Sequence, residues 1–223
     1  MIFGKLFHQE NLSVKHVLFL FSLIFVCWST YRYFPEPPLW LSELILKPVI
    51  WLLPTFWLVT QVEKKSLASL GLTSKNLLPA IYWGVGLGII FALEGLITNI
   101  LKYRGVNLVN LQYNFGQFLG VLLISWMTAF TEEVVFRGYI FNRLSEIWHR
   151  EWRAGLVSAG LFALAHLPIG IFVLSYNPLA MVAYLLFVFV FGFGSAFVFA
   201  RSGNLVSSIL LHFFWAWPII LFR

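Results

Sequence analysis

Seven long apolar runs divide this chain, at about Val14 to Phe34, Lys47 to Val62, Leu78 to Leu101, Phe115 to Leu144, Ala154 to Leu174, Pro178 to Ala200 and Asn204 to Phe222. One crossing of a bilayer core takes about 20 apolar residues, so each run predicts a membrane-spanning α-helix. Pro48 and Pro54 interrupt the second run, which leaves Leu39 to Leu46 as either an interfacial piece or an eighth short crossing. The first run is rimmed by Trp28, Tyr31 and Tyr33 and lacks a small-residue cleavage site, so it reads as a retained helix rather than a signal peptide. The expected fold is all-α, a polytopic bundle of seven or eight helices forming one integral membrane domain over residues 1–223. No internal repeat or low-complexity segment breaks it.

Composition supports this reading. Of 223 residues 60% are hydrophobic, 19% aromatic and only 11% charged, against about 25% charged in soluble domains. The net charge of +6 does not mark a nucleic-acid partner, because the Lys and Arg residues are spread among the loops instead of forming one stripe. They report topology instead. With the N-terminus inside, Lys5, Lys15, Lys64, Lys65, Lys75, Arg143, Arg150, Arg153 and Arg201 fall on the cytoplasmic side and Arg32, Lys47, Lys102, Arg104 and Arg223 on the other. The single cysteine, Cys27, lies in an apolar run and excludes both an internal disulfide and a thiolate metal cluster.

Ionisable residues inside the spans carry the chemistry, since each costs at least about 2.5 kcal/mol at the centre of an isolated membrane helix. Glu132, Glu133 and Arg137 lie together in the fourth run. Glu133 and Arg137 are four apart, on one helical face, and are expected to pair; Glu132 projects about 100° away and is left over. A carboxylate so placed suits a general base. The bland alternative is that both glutamates satisfy Arg137 and a polar neighbour, holding helices together. His166 in the fifth run and His212 in the seventh shift that balance, because at about 1.5 Å per residue both fall at the depth of Glu132. Three such groups are expected to meet.

These residues resemble the CaaX-prenyl-protease and bacteriocin-processing (CPBP, or Abi) family of intramembrane proteases. The resemblance covers roughly Phe115 to Trp217. The two glutamates, three residues and arginine of the family's first motif match Glu132, Glu133 and Arg137, followed by Gly138; phenylalanine, three residues and histidine match Phe162 and His166; and the third motif's histidine matches His212, after Arg201 to Leu205. One position departs: Ala216 stands where the third motif places asparagine or aspartate, which in the family helps the histidine hold an oxyanion.

The resemblance implies an endopeptidase acting on a membrane-associated protein or peptide, in a conical cavity open to the cytoplasm, within the cell (inner or plasma) membrane. Glu132 would activate a water, His166 orient it or shuttle the proton, and His212 donate to the oxyanion, with Glu133, Arg137 and Phe162 in support. No cofactor is expected. The same atoms offer an alternative, since two histidines and a carboxylate also ligate catalytic Zn2+, although no His-Glu-x-x-His pattern is present. Ala216 leaves room for a catalytically silent scaffold or immunity-type binding protein. A transporter would more often show repeats and matched broken helices. Glu94, near Thr98 and Asn99, is expected to be a buried hydrogen-bonding partner. Gly84, Gly86 and Gly88, like Gly192, Gly194 and Ser195, are expected to let helices approach closely. Tyr176, Asn177 and Pro178 read as a turn, Trp215 and Trp217 as indoles near the site, and His8, His16 and His149 as solvated.

Overall fold

The computed structural model describes residues 2–35, 37–106 and 114–222, with side chains described over 14–35, 37–101, 103–106 and 114–216. The side chains of Lys5, His8, Lys102, Trp217 and Arg223 therefore lie outside the described residues. Among those described every regular element is a helix, and seven helices account for the apolar runs: α1 (Ile2–Tyr33), α2 (Leu39–Val62), α3 (Leu77–Tyr103), α4 (Phe115–Trp148), α5 (Glu151–Val173), α6 (Pro178–Ser202) and α7 (Val206–Phe222). The first six each contain a stretch long and apolar enough to cross a membrane, and Val206–Ala216 of α7 is shorter. The chain is a polytopic helical membrane protein.

Leu39 to Leu46 is not an eighth crossing. It is the start of α2, joined without a break to Lys47–Trp57 through a π-helical turn at Ser42–Leu46. A proline lacks its N–H and crowds the carbonyl four residues earlier, and the wider turn before Pro48 relieves that crowding. Local chemistry explains other boundaries. Asn114 and Gln117 form a reciprocal capping box at the start of α4. The expected turn at Tyr176 to Pro178 ends on Asn177, whose side chain accepts from the Ala180 N–H while Pro178 opens α6.

The connections lie on two faces. The lower face carries residues 63–76, 149–150 and 203–205; of the described residues, 34–35, 37–38, 104–106, 114 and 174–177 lie on the upper face. Polar contacts lace the lower face together: Asn204 Nδ2 donates to the Thr73 and Lys75 carbonyls, Asn76 to Ser202, and Arg143 to Glu63 and Ser69. Helix α3 packs along α7. Gly84 and Gly88 make that possible, because a Cβ at Gly84 would meet the Ser207 carbonyl oxygen at 2.5 Å and one at Gly88 would meet Phe214 Cβ at 2.9 Å. Gly86 faces open space and has no part in the contact.

Candidate active site

The site is assembled where α4 changes character. Its α-helical part ends at Glu133, and the turns Val134–Phe141 are π-helical and wholly buried. Such wide turns concentrate at functional sites because they re-aim side chains within an otherwise regular helix. Here the two adjacent glutamates serve different neighbours.

Glu133 is fully enclosed. Its Oε1 accepts from Arg137 Nη1 at 3.1 Å, the pair that the spacing allows, and from His212 Nδ1 at 2.7 Å; its Oε2 accepts from the Ser195 hydroxyl at 2.7 Å. Arg137 Nη2 donates to the Gly192 carbonyl at 2.8 Å, and its guanidinium lies 4.5 Å over the Phe162 ring. Gly192 leaves room for this contact, since a Cβ there would lie 3.1 Å from that Nη2 and crowd it. Glu133 thus ties α4 to α6 and α7 and fixes the ring of His212.

Glu132 points to the other side. Its Oε2 lies 3.7 Å from His212 Nε2 and 3.9 Å from His166 Nε2, and it is buried without a hydrogen-bonding partner among the described residues. The two rings are held from behind. His166 Nδ1 meets the Phe162 carbonyl at 2.8 Å, and Phe162 packs edge-on against His166 with ring centres 4.5 Å apart. Both Nδ1 atoms are therefore committed, and each Nε2 faces Glu132.

The second oxygen of Glu132 has a partner from α2. Lys47 Nζ lies 2.5 Å from Glu132 Oε1 and 2.8 Å from Glu43 Oε2. Glu43 also accepts from Arg32 at 3.0 Å and from Thr128 at 2.8 Å. Arg32 and Lys47, expected among the charges on the non-cytoplasmic side, are buried ion-pair members. Tryptophans wall them in: the Arg32 guanidinium is 4.3 Å over Trp28, and Lys47 Nζ lies 5.5 and 5.6 Å from the Trp28 and Trp51 ring centres. The signal in the sequence was the four-residue spacing of Glu43 and Lys47 in a run otherwise almost devoid of charge.

These groups line a cavity of about 280 Å³ shared by Glu132, His166, His212, Lys47, Glu43 and Arg32, with Trp215 and Ala216 on its α7 wall. Its lining rises from Glu132 to Leu39, which is 54% exposed at the upper end of α2. Beneath Glu132, by contrast, Phe136, Tyr139 and Arg143 fill the bundle. Because α1 begins on the lower face and ends on the upper, a cytoplasmic N-terminus and a cytoplasmic mouth exclude each other.

Other residues singled out from the sequence stand apart. Glu94 is half-buried and accepts from Thr98 on its own helix at 2.9 Å, away from the cavity. His16 is not a solvated edge residue: its Nδ1 is buried 3.7 Å from Glu63. His149 is exposed. Ser195, expected only to ease packing, is a hydrogen-bond donor to Glu133. Among the described residues no group of three or more His, Cys, Asp or Glu side chains is arranged to hold a metal ion.

Comparison with known proteins gives a match to one family model over just under half of the chain. Residues 114–218 match the model described as "Type II CAAX prenyl endopeptidase Rce1-like", a span that includes Glu132, Glu133, Arg137, Phe162, His166 and His212 but not Glu43 or Lys47. Neither a curated protein nor a solved structure gives a match.

Proposed function

From a chain whose residues 114–218 fall in the Rce1-like family of type II CAAX prenyl endopeptidases, we propose an intramembrane endopeptidase in which Glu132 activates the hydrolytic water. The observation that carries this reading is the free Glu132 Oε2 facing His166 Nε2 at 3.9 Å and His212 Nε2 at 3.7 Å inside a cavity. A water held among these three atoms gives up a proton to Glu132 while its oxygen bonds to the scissile carbonyl carbon, and that carbonyl's π electrons move onto its oxygen. His166, anchored on the Phe162 carbonyl, orients the water. His212 carries a second proton in its imidazolium form, balanced by Glu133 behind it, and its Nε2–H then donates to the oxyanion. Collapse of the tetrahedral intermediate expels the amine, which takes the proton from Glu132.

The substrate is a membrane-associated protein or peptide, and the cavity's apolar walls of Trp28, Trp51 and Trp215 suit an unfolded segment with large side chains. Ligation of Zn2+ by Glu132, His166 and His212 is the alternative reading of the same side chains. Metal analysis of the purified protein tests this, with no stoichiometric metal and no loss of cleavage under chelator as the expected result.

The main test compares wild type with Glu132→Gln and His166→Ala in native membranes, following uncleaved proteins by mass spectrometry. Loss of an acid–base residue is expected to slow cleavage by about 10² to 10⁴-fold, so that precursors accumulate. Identical peptide profiles in all three membranes would refute the protease reading.

A further inference from the structure

Every side chain lining the cavity lies between the level of Glu132 and the upper ends of the helices. Trp28 and Arg32 belong to the last two turns of α1, Leu39 and Glu43 to the first two turns of α2, and Tyr184 to the first two turns of α6. Ile124 precedes Glu132 on a strand of chain descending from the upper face, and Ile169 follows His166 on one rising to it. No lining residue comes from the lower connections. That face is closed by the Asn204, Asn76 and Arg143 hydrogen bonds and by the fully buried Phe136 and Tyr139.

The basic residues gather on the closed face. Lys15, Lys64, Lys65, Lys75, Arg150, Arg153 and Arg201 are all exposed there, whereas Arg104 is the one exposed cation described on the upper face. Arg32, Lys47 and Arg143 are buried in ion pairs and carry no topological information. Removing these three turns a sequence bias of nine against five into eight against three, with Lys5, Lys102 and Arg223 counted from their positions in the chain. Glu63, Glu146 and Glu151 share the lower face, but acidic residues weigh little in the rule that cytoplasmic loops are rich in Lys and Arg.

We infer that the cavity opens away from the cytoplasm and that the substrate is a polypeptide presented at the non-cytoplasmic surface: an exported or membrane-anchored chain, not a cytoplasmic C-terminus. This rests on the cavity being the endopeptidase site proposed above. The upper mouth suits such a segment, since Leu39 and Trp40 are exposed beside it and offer an apolar lip at the membrane boundary.

Cysteine labelling tests the assignment. Cys27 is the chain's single cysteine, so Cys27→Ser provides the background into which Leu39→Cys, Ile124→Cys and Lys64→Cys are placed one at a time. Full-length protein in intact cells is treated with a membrane-impermeant maleimide, and again after inversion of the membranes. The expected result is labelling of Leu39→Cys and Ile124→Cys in intact cells and of Lys64→Cys in inverted vesicles alone. Labelling of Leu39→Cys from the cytoplasmic side, from neither side, or from the same side as Lys64→Cys overturns the inference. Labelling does not depend on turnover. A protein that labels as expected, yet shows no precursor accumulation with Glu132→Gln, keeps the orientation and loses the protease reading.

Discussion

Replacing Lys47 with methionine removes a cation of similar length from between two carboxylates and leaves one of them stranded. Glu43 keeps Arg32 at 3.0 Å and Thr128 at 2.8 Å. Glu132 keeps nothing closer than the His212 Nε2 at 3.7 Å. Removing one partner of a buried ion pair costs roughly 3–5 kcal/mol, because the remaining charge stays out of water without compensation. Two charged hydrogen bonds at about 1.5–3 kcal/mol each lead to the same range. Lys47→Met is therefore expected to lower the unfolding free energy by roughly 4 kcal/mol, and Lys47→Arg, which keeps the charge, by much less. Unfolding in mixed detergent micelles, monitored by protease protection, measures this. The decisive comparison is the double variant Lys47→Met/Glu132→Gln: neutralising the stranded carboxylate should restore at least about 1.5 kcal/mol without restoring cleavage. If the two substitutions instead add to within about 0.5 kcal/mol, Lys47 does not compensate Glu132 and the account of this pair is wrong.

Two smaller expectations follow from packing and from the departure at Ala216. Gly84→Ala should destabilise the α3–α7 contact by about 1–3 kcal/mol in the same assay, because its Cβ has no room against the Ser207 carbonyl, while Gly86→Ala, which faces open space, should leave stability unchanged. Ala216→Asn places a carboxamide on the cavity wall one turn beyond His212 and should raise turnover, with about 10² to 10³-fold as the ceiling set by a single oxyanion donor. Absence of turnover in both forms, with full biological function in both, would favour a scaffold.

The spans were legible because membrane helices announce themselves by length and apolarity, and the pairing of Glu133 with Arg137 followed from a four-residue spacing. The meeting of Glu132, His166 and His212 was legible from depth alone. Lys47 and Arg32 were not, since a charge near a helix end reads equally well as a loop charge; only the burial supplied by α1, α2 and α4 together distinguishes the two cases. The direction of the mouth was hidden for a related reason. Depth along a helix places a residue between two faces but says nothing about which face the neighbouring helices leave uncovered. Ser195 lay in a run of small residues whose packing role was plain and whose hydroxyl had no visible partner until α4 was set beside α6.

The wide turns Val134–Phe141 make α4 intolerant of a change in length. One residue corresponds to about 100° of rotation. Adding a single residue there would swing Arg143 and Tyr139, which grip Glu63 below, out of phase with the glutamates above, because turns that are already wide cannot absorb it. The helix would then have to choose which end to satisfy, so gain of one codon in this stretch should be harsher than most point changes on either side of it.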